Sequence, residues 1–109
     1  MKIAIAGGGI CGLTLALAAK TAGMTPIVIE QRPDIMVQSF GGGIGLWPPS
    51  QQVFEELGLL SKLEKVSAVM PTASYFNHKG QKLGEPSEHF SSRYRILTLE
   101  RVMLTKILY

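Results

Sequence analysis

The sequence predicts an α/β fold built on a strand–helix–strand (βαβ) unit with a parallel sheet, and three observations carry that prediction. An uncharged run from Ile3 to Ala19 is broken near its middle by Gly7, Gly8, Gly9 and Gly12. A second short apolar run, Pro26-Ile-Val-Ile-Glu30, follows after one helix length. Beyond it, "ASYFNHKGQKL" has the spacing of a β-hairpin, so a β-rich region starts in the second half of the chain. With 109 residues, 46% apolar and 17% charged, the composition suits one small globular domain at most.

The first strand is expected over Lys2–Ala6, followed by a glycine turn and a helix from Ile10 to about Ala22, closed by Gly23. The same stretch also has the outline of an export signal, with Lys2 as a basic start and Ala16-Leu17-Ala18 as a small-residue cleavage site. Its glycines argue against an inserting helix, since each costs about 1 kcal/mol against alanine. The run is also shorter than the roughly 20 residues a membrane span needs, and no later stretch offers a second candidate. The second strand, Pro26–Glu30, reads as a parallel strand covered on both faces, with Pro26 tolerated only at its start.

A loop is expected from Gln31 to Trp47, carrying Gly41-Gly42-Gly43-Ile44-Gly45. A helix follows, with Pro48 and Pro49 in its first turn, Val53, Phe54 and Leu57 on one face and Gly58 at its end. Leu59 to Lys65 adds a further helical turn or two. The hairpin over Ala73–Leu83 turns at Asn77-His78-Lys79-Gly80, and a polar loop occupies Glu85 to Ser92. A strand around Tyr94–Leu97 and a helix from Leu99 onward finish the chain, with Thr98 as N-cap and Met103, Leu104, Ile107 and Leu108 as an apolar stripe. That helix stops at Tyr109 in mid-pattern, which suggests an N-terminal portion of something larger, an incomplete domain.

Net charge is +3, with basic and acidic residues interleaved and aromatics sparse, so no nucleic-acid footprint is expected. A lone Cys11 cannot form an internal disulfide, which fits a reducing compartment and a cytoplasmic location. His78 and His89 lack the spacing of metal ligands, and Ser50, Ser91 and Ser92 have no base placed beside them. There is no internal repeat.

Gly7-Gly8-Gly9-Ile10-Cys11-Gly12 matches G-x-G-x-x-G between a strand and a helix, a dinucleotide-binding signature. Gly7 permits the tight turn, Gly9 lets a pyrophosphate reach the backbone, and Gly12 lets the helix lie close to the sheet. The helix N-terminus offers unpaired N–H groups to the phosphates. Glu30 stands where an acid binds a ribose diol, which disfavours a 2′-phosphate and leaves FAD or NAD. Cys11 reads as a small packing residue rather than a reactive thiol. "GGGIGLW" suits a flat ring lying on bare backbone, against a flexible loop as the plainer alternative, and it argues against an NAD-only dehydrogenase. Arg101 lies three residues before Leu104 and seven before Leu108, so it shares the apolar stripe and calls for an anion or carbonyl, where an ordinary arginine would be solvated.

Four segments, "IAGGGICGLTLALAAKTAG", "VIEQRP", "GGGIGLWPPSQQVFEELGL" and "LERVMLTKIL", resemble the class A FAD-dependent monooxygenases of the aromatic hydroxylase type, in family order and over nearly the whole chain. The resemblance implies a Rossmann-like FAD-binding βαβ unit and, over about residues 70–97, the start of a substrate-domain hairpin. It implies that Gly7, Gly9 and Gly12 hold the FAD pyrophosphate, that Ile10 and Cys11 belong to the same cofactor-binding stretch, and that Glu30 binds the adenosine ribose. Arg32 would lie near the adenosine end, Gly43 and Ile44 would approach the flavin ring, and Arg101 would contact the cofactor. The implied reaction is hydroxylation of a small aromatic substrate with O2 and NAD(P)H as transient reductant. Implied partners are that substrate and either a homo-oligomer or a missing C-terminal portion, with no nucleic acid and no membrane span. Pro49 stands where the family usually has asparagine, and Phe40 or Gly41 where some members have arginine. The family's downstream Asp-Gly and Gly-Asp motifs are absent from the 109 residues, which alone are not expected to be a competent hydroxylase. Another FAD-dependent oxidoreductase of the same fold, or a noncatalytic truncated remnant, are the alternatives.

Overall fold

The computed structural model describes residues 1–33, 42–70, 74–84 and 93–109. The expectations for Phe40, Gly41, Ala73, His89, Ser91, Ser92 and the loop from Glu85 to Ser92 lie outside these residues.

The N-terminal unit follows its glycine and proline punctuation. Strand β1 (Lys2–Ala6) runs parallel to β2 (Thr25–Ile29), in register from Lys2 opposite Thr25 to Ala6 opposite Ile29. Helix α1 (Ile10–Thr21) makes the crossover. It ends in a Schellman motif: Gly23 has φ +77°, its N–H donates to Lys20 O (3.0 Å), and the Met24 N–H donates to Ala19 O (2.9 Å). Leu13 and Ala19 are the buried residues of this helix, and Ile5 of β1 is buried as well. The expectation of a second strand covered on both faces is corrected: Ile27 is 49% and Ile29 61% exposed. Successive strand residues point to opposite faces, and among the described residues no layer covers the side to which these two point.

The loop expected from Gln31 to Trp47 is also corrected, because Gly43–Leu46 forms strand β3. Next in the chain come α2 (Pro48–Glu56), α3 (Leu60–Val66), and the short strands β4 (Ala68–Val69), β5 (Tyr75–Phe76) and β6 (Lys82–Gly84). Strand β7 (Leu97–Glu100) and helix α4 (Arg101–Leu108) complete the order. β7 is the centre of an antiparallel β3-β7-β4 sheet, whereas β5 and β6 pair with each other around the expected turn. Glycine disfavours strands locally, but pairing from Gly43 opposite Glu100 to Leu46 opposite Leu97 overrides that preference. β7 lies three residues later than expected. Tyr94 and Ile96 precede it as buried irregular chain, and the N-cap of α4 is Glu100 rather than Thr98, whose hydroxyl donates to Ala68 O (3.1 Å).

In α2 the buried face is Pro48, Gln51 and Phe54, spaced by three, and Val53 points out to solvent. Gly58, at φ +70°, ends this helix with a second Schellman pair, Gly58 N–H to Glu55 O (2.9 Å) and Leu59 N–H to Phe54 O (2.7 Å). A shared core joins Leu13 of α1, Leu46 of β3, Phe54, Leu60 and Leu63 of α2 and α3, Leu97 and Leu99 of β7, and Leu104 and Leu108 of α4. Met103 and Ile107 pack against it, as the stripe predicts. Among the described residues no helix is long and apolar enough to cross a membrane.

Candidate functional site

The glycine turn is fixed from within and open on one side. Gly7 has φ +99°, a conformation that side chains resist, and its N–H continues the sheet by donating to Ile29 O (2.7 Å). A Cβ on Gly12 would stand 1.9 Å from Gly7 O, so the helix can pass the turn only without a side chain there. A Cβ on Gly9, in contrast, would meet no atom within 4 Å. Gly9 is the N-cap of α1 and makes no side-chain cap, and the first turn carries no acidic residue. The opening N–H groups of the helix therefore face the open side, with the positive end of the helix dipole behind them.

Glu30, just past β2, ties this turn down. Its Oε2 accepts the N–H of buried Gly8 (2.6 Å) and its Oε1 accepts the N–H of Arg32 (3.0 Å). The carboxylate thus links the end of the second strand to the middle of the glycine motif.

Across the opening stands a second wall, formed where β3 and α4 meet. The Arg101 N–H donates to Gly42 O (3.3 Å) and holds the two together. The resulting cleft, about 690 Å³, is lined by Ala6, Gly7, Gly9, Ile10, Cys11 and Gly12 on one side and by Gly42, Gly43, Ile44 and Arg101 on the other. That volume is in the range of ligand pockets. Every residue expected from the sequence to bind the cofactor lies on this cleft except Glu30 and Arg32. Those two border a separate depression of about 500 Å³ with Ala16, Lys20, Val28 and Leu108, and the Gly8 N–H links Glu30 to the turn that lines the cleft.

Arg101 heads the stripe of α4, but at the end that projects past the core, so it is exposed rather than buried. Its guanidinium makes no ion pair or side-chain hydrogen bond among the described residues. Cys11 is a free, exposed thiol on the cleft, His78 is exposed in the hairpin turn, and the described residues contain no cluster of three metal-ligating side chains.

The second wall is braced by residues the sequence reading missed. Gln51, only 2% exposed, donates through Nε2 to Leu46 O (2.7 Å) and Arg95 O (2.5 Å), joining β3 to the approach of β7. Its place three residues before Phe54, on the inward face, was the available signal. Glu55 accepts hydrogen bonds from the Tyr94 hydroxyl and the Arg93 guanidinium. The Tyr94 hydrogen bond, then that of Arg93, holds the Glu55 carboxyl below its ordinary range, and the bond to Glu55 pushes the Tyr94 phenol up.

Known proteins share this arrangement. The FAD binding domain family matches over residues 1–109. The FAD-dependent monooxygenase nvfK of Aspergillus novofumigatus is 35% identical over 115 residues, covering 99% of this chain and 23% of the relative. The FAD-dependent monooxygenase adrH of Penicillium rubens is 34% identical, covering 99% of this chain and 24% of its own length. This chain therefore spans about a quarter of the curated relatives it matches. Among solved structures, the tetrameric form of 2-methyl-3-hydroxypyridine-5-carboxylic acid oxygenase superposes with a TM-score of 0.79 at 28% identity, covering 98% of this chain and 27% of that one. Turn, crossover helix and second wall thus occur in one sequence family, and the chain belongs to the FAD binding domain family of the FAD-dependent monooxygenases.

Proposed function

We propose that the protein carrying these residues hydroxylates a small aromatic substrate with O2 and NAD(P)H, and that this chain holds the dinucleotide part of its FAD. The observation that carries this reading is the single cleft that brings together an uncapped helix N-terminus, the open Gly9 and the Arg101 guanidinium. The residues fit the group. A side chain at Gly9 would fill the space a pyrophosphate needs, although nothing in the chain itself forbids one.

In this proposal the N–H groups opening α1 bind the phosphates, and Arg101 adds positive charge from the opposite wall. Glu30, which holds Gly8, binds a ribose hydroxyl, and Arg32 lies toward the adenosine end. Gly43 and Ile44 leave a flat approach for the flavin ring. When bound, FAD supplies the electron transfer and oxygen chemistry, and the protein binds, orients and excludes water. NAD(P)H visits only as reductant. Residues 1–109 then form the N-terminal part of the FAD-binding domain, and the β5–β6 hairpin begins the substrate side. Exposed Tyr75, Phe76 and Leu83, on a hairpin whose strands pair with no other strand among the described residues, support that assignment. Self-association belongs to the same proposal, supported by the tetrameric form of the solved oxygenase.

The test is the visible spectrum of the purified full-length protein, followed by NAD(P)H oxidation with and without aromatic substrates. Bound flavin and substrate-stimulated oxidation with oxygen insertion are expected. A protein that neither copurifies with flavin nor takes it up would sink the proposal, and peroxide release without insertion would point to a different FAD oxidoreductase.

A further inference from the structure

Three glycines in a row have little conformational preference of their own, yet the turn at Gly7-Gly8-Gly9 has to present the opening amides of α1 in one arrangement. Gly9 caps α1 without a side-chain bond, so the rigidity has to come from outside the turn. Two bonds supply it. The Gly7 N–H donates to Ile29 O (2.7 Å), and the N–H of buried Gly8 donates to Glu30 Oε2 (2.6 Å). The carboxylate is itself held, since its Oε1 accepts the Arg32 N–H (3.0 Å). Among the described residues no peptide is cis, and a trans peptide carries its N–H and C=O on opposite sides. With the Gly8 N–H on Glu30, the Gly7 carbonyl therefore points the other way, to α1, where its oxygen would lie 1.9 Å from a Cβ on Gly12. Glu30 and Gly12 thus meet the two ends of one peptide plane.

We propose that Glu30 is a positioning residue for the pyrophosphate: it locks the Gly7–Gly8 peptide plane and so preorganises the turn, independently of any ribose it binds. The inference rests on the FAD reading for the pyrophosphate it names. A carboxylate only accepts hydrogen bonds, so it admits this plane one way round, with the N–H toward it and the carbonyl away. A turned plane would bring the Gly7 carbonyl against the carboxylate and leave the buried Gly8 N–H without its acceptor. It would also shift Gly9 and the amides that follow it. Coulomb's law alone counts against an acid beside an anion-binding turn, since like charges repel. The lock offsets that repulsion: the amides stand in place before the phosphates arrive, and their ordering is removed from the cost of binding.

Inorganic pyrophosphate has phosphates and no ribose, so it separates the two roles of Glu30. The full-length protein, freed of bound nucleotide, is titrated with it by calorimetry, and separately with FAD. Glu30→Gln keeps the length of the side chain, removes the charge, and can donate as well as accept, so it admits both orientations of the plane. It should weaken pyrophosphate by about tenfold, the scale of one hydrogen bond. A purely electrostatic Glu30 predicts tighter binding instead, and a residue that only meets ribose predicts no change. Hydrogen exchange followed by mass spectrometry should speed up at the peptide spanning Gly7–Gly9 and stay unchanged in β2 and the later turns of α1, a pattern that a general loss of stability does not produce. If Glu30→Gln does not fold, Glu30→Asp, which keeps the charge and is one methylene shorter, takes its place with the same expectation. Equal or tighter pyrophosphate binding by the variant, weakening without faster exchange at the turn, or no pyrophosphate binding by the wild type overturns the lock. Failure of FAD to bind while pyrophosphate binding depends on Glu30 counts against the cofactor reading and leaves the lock standing.

Discussion

The two glycine clusters look alike in sequence and differ in what forbids a side chain. In the first, Gly7 adopts φ +99° and a Cβ at Gly12 would collide with Gly7 O at 1.9 Å, so the chain itself requires glycine. In the second, a Cβ at Gly43 would sit 3.7 Å from Leu99 O and one at Gly45 3.6 Å from the Trp47 indole, both ordinary contacts. Folding explains the first cluster at these positions. At Gly43, as at Gly9, the chain itself leaves room for a side chain, and both line the cleft.

Substitutions can break that contrast. Gly12→Ala should cost the most, on the order of 3 kcal/mol, because backbone must move to relieve the clash; urea denaturation measures it. A loss below about 1 kcal/mol would mean that the turn yields easily. Gln51→Leu should cost about 2 kcal/mol in the same experiment, since two carbonyls behind the second wall lose their donor. Gly7→Ala should cost about 1–2 kcal/mol through its positive φ. Gly43→Ala should change stability by less than about 0.5 kcal/mol yet weaken FAD binding, as followed by flavin fluorescence. A destabilised Gly43→Ala with unchanged FAD affinity would erase the distinction between the clusters.

The smallest effect concerns pH. The folded Glu55 carboxyl titrates below its ordinary 4.5, so its contribution is present above that value and fades as pH falls through the lowered one. The folded Tyr94 phenol titrates above its ordinary 10, so its contribution is present below pH 10 and is lost as pH rises through the raised value. Tyr94→Phe should remove the alkaline limb of the stability profile and narrow the acid one. Unfolding midpoints measured across pH would show it.

Legibility in the sequence follows the range of the interactions that decide each element. β1, α1 and the end of α1 at Gly23 could be read because the turn, the helical spacing and the Schellman glycine are all local. β3 could not, because Gly43 and Gly45 argue against a strand until Leu97–Glu100 arrives to pair with them. The Leu97-Thr98-Leu99-Glu100 alternation was itself a strand signal, which the expectation of a helix from Leu99 obscured. Arg101 was placed in the right stripe and given the wrong burial, since spacing fixes a direction on a helix but not where the core ends. Glu30 was recognised as an acid after a strand. Its bond to the Gly8 N–H depends on how β2 ends beside the turn, which spacing alone does not describe.

The hydrogen bond between Arg101 N–H and Gly42 O also bears on the order in which the molecule assembles. The glycine turn needs only the chain from Lys2 to Glu30, and loops that short close quickly. The opposite wall needs β3 to meet β7 across most of the remaining chain, a pairing that contact order makes slow. In refolding, helical signal from α1 should therefore precede the emission change of Trp47. A nascent chain would have one side of the cleft shaped well before the other, with its ligand-binding amides displayed to water in the interval. A ligand that bridges the two sides would act as a template for the late closure, so added FAD should speed the Trp47 phase and leave the earlier one alone.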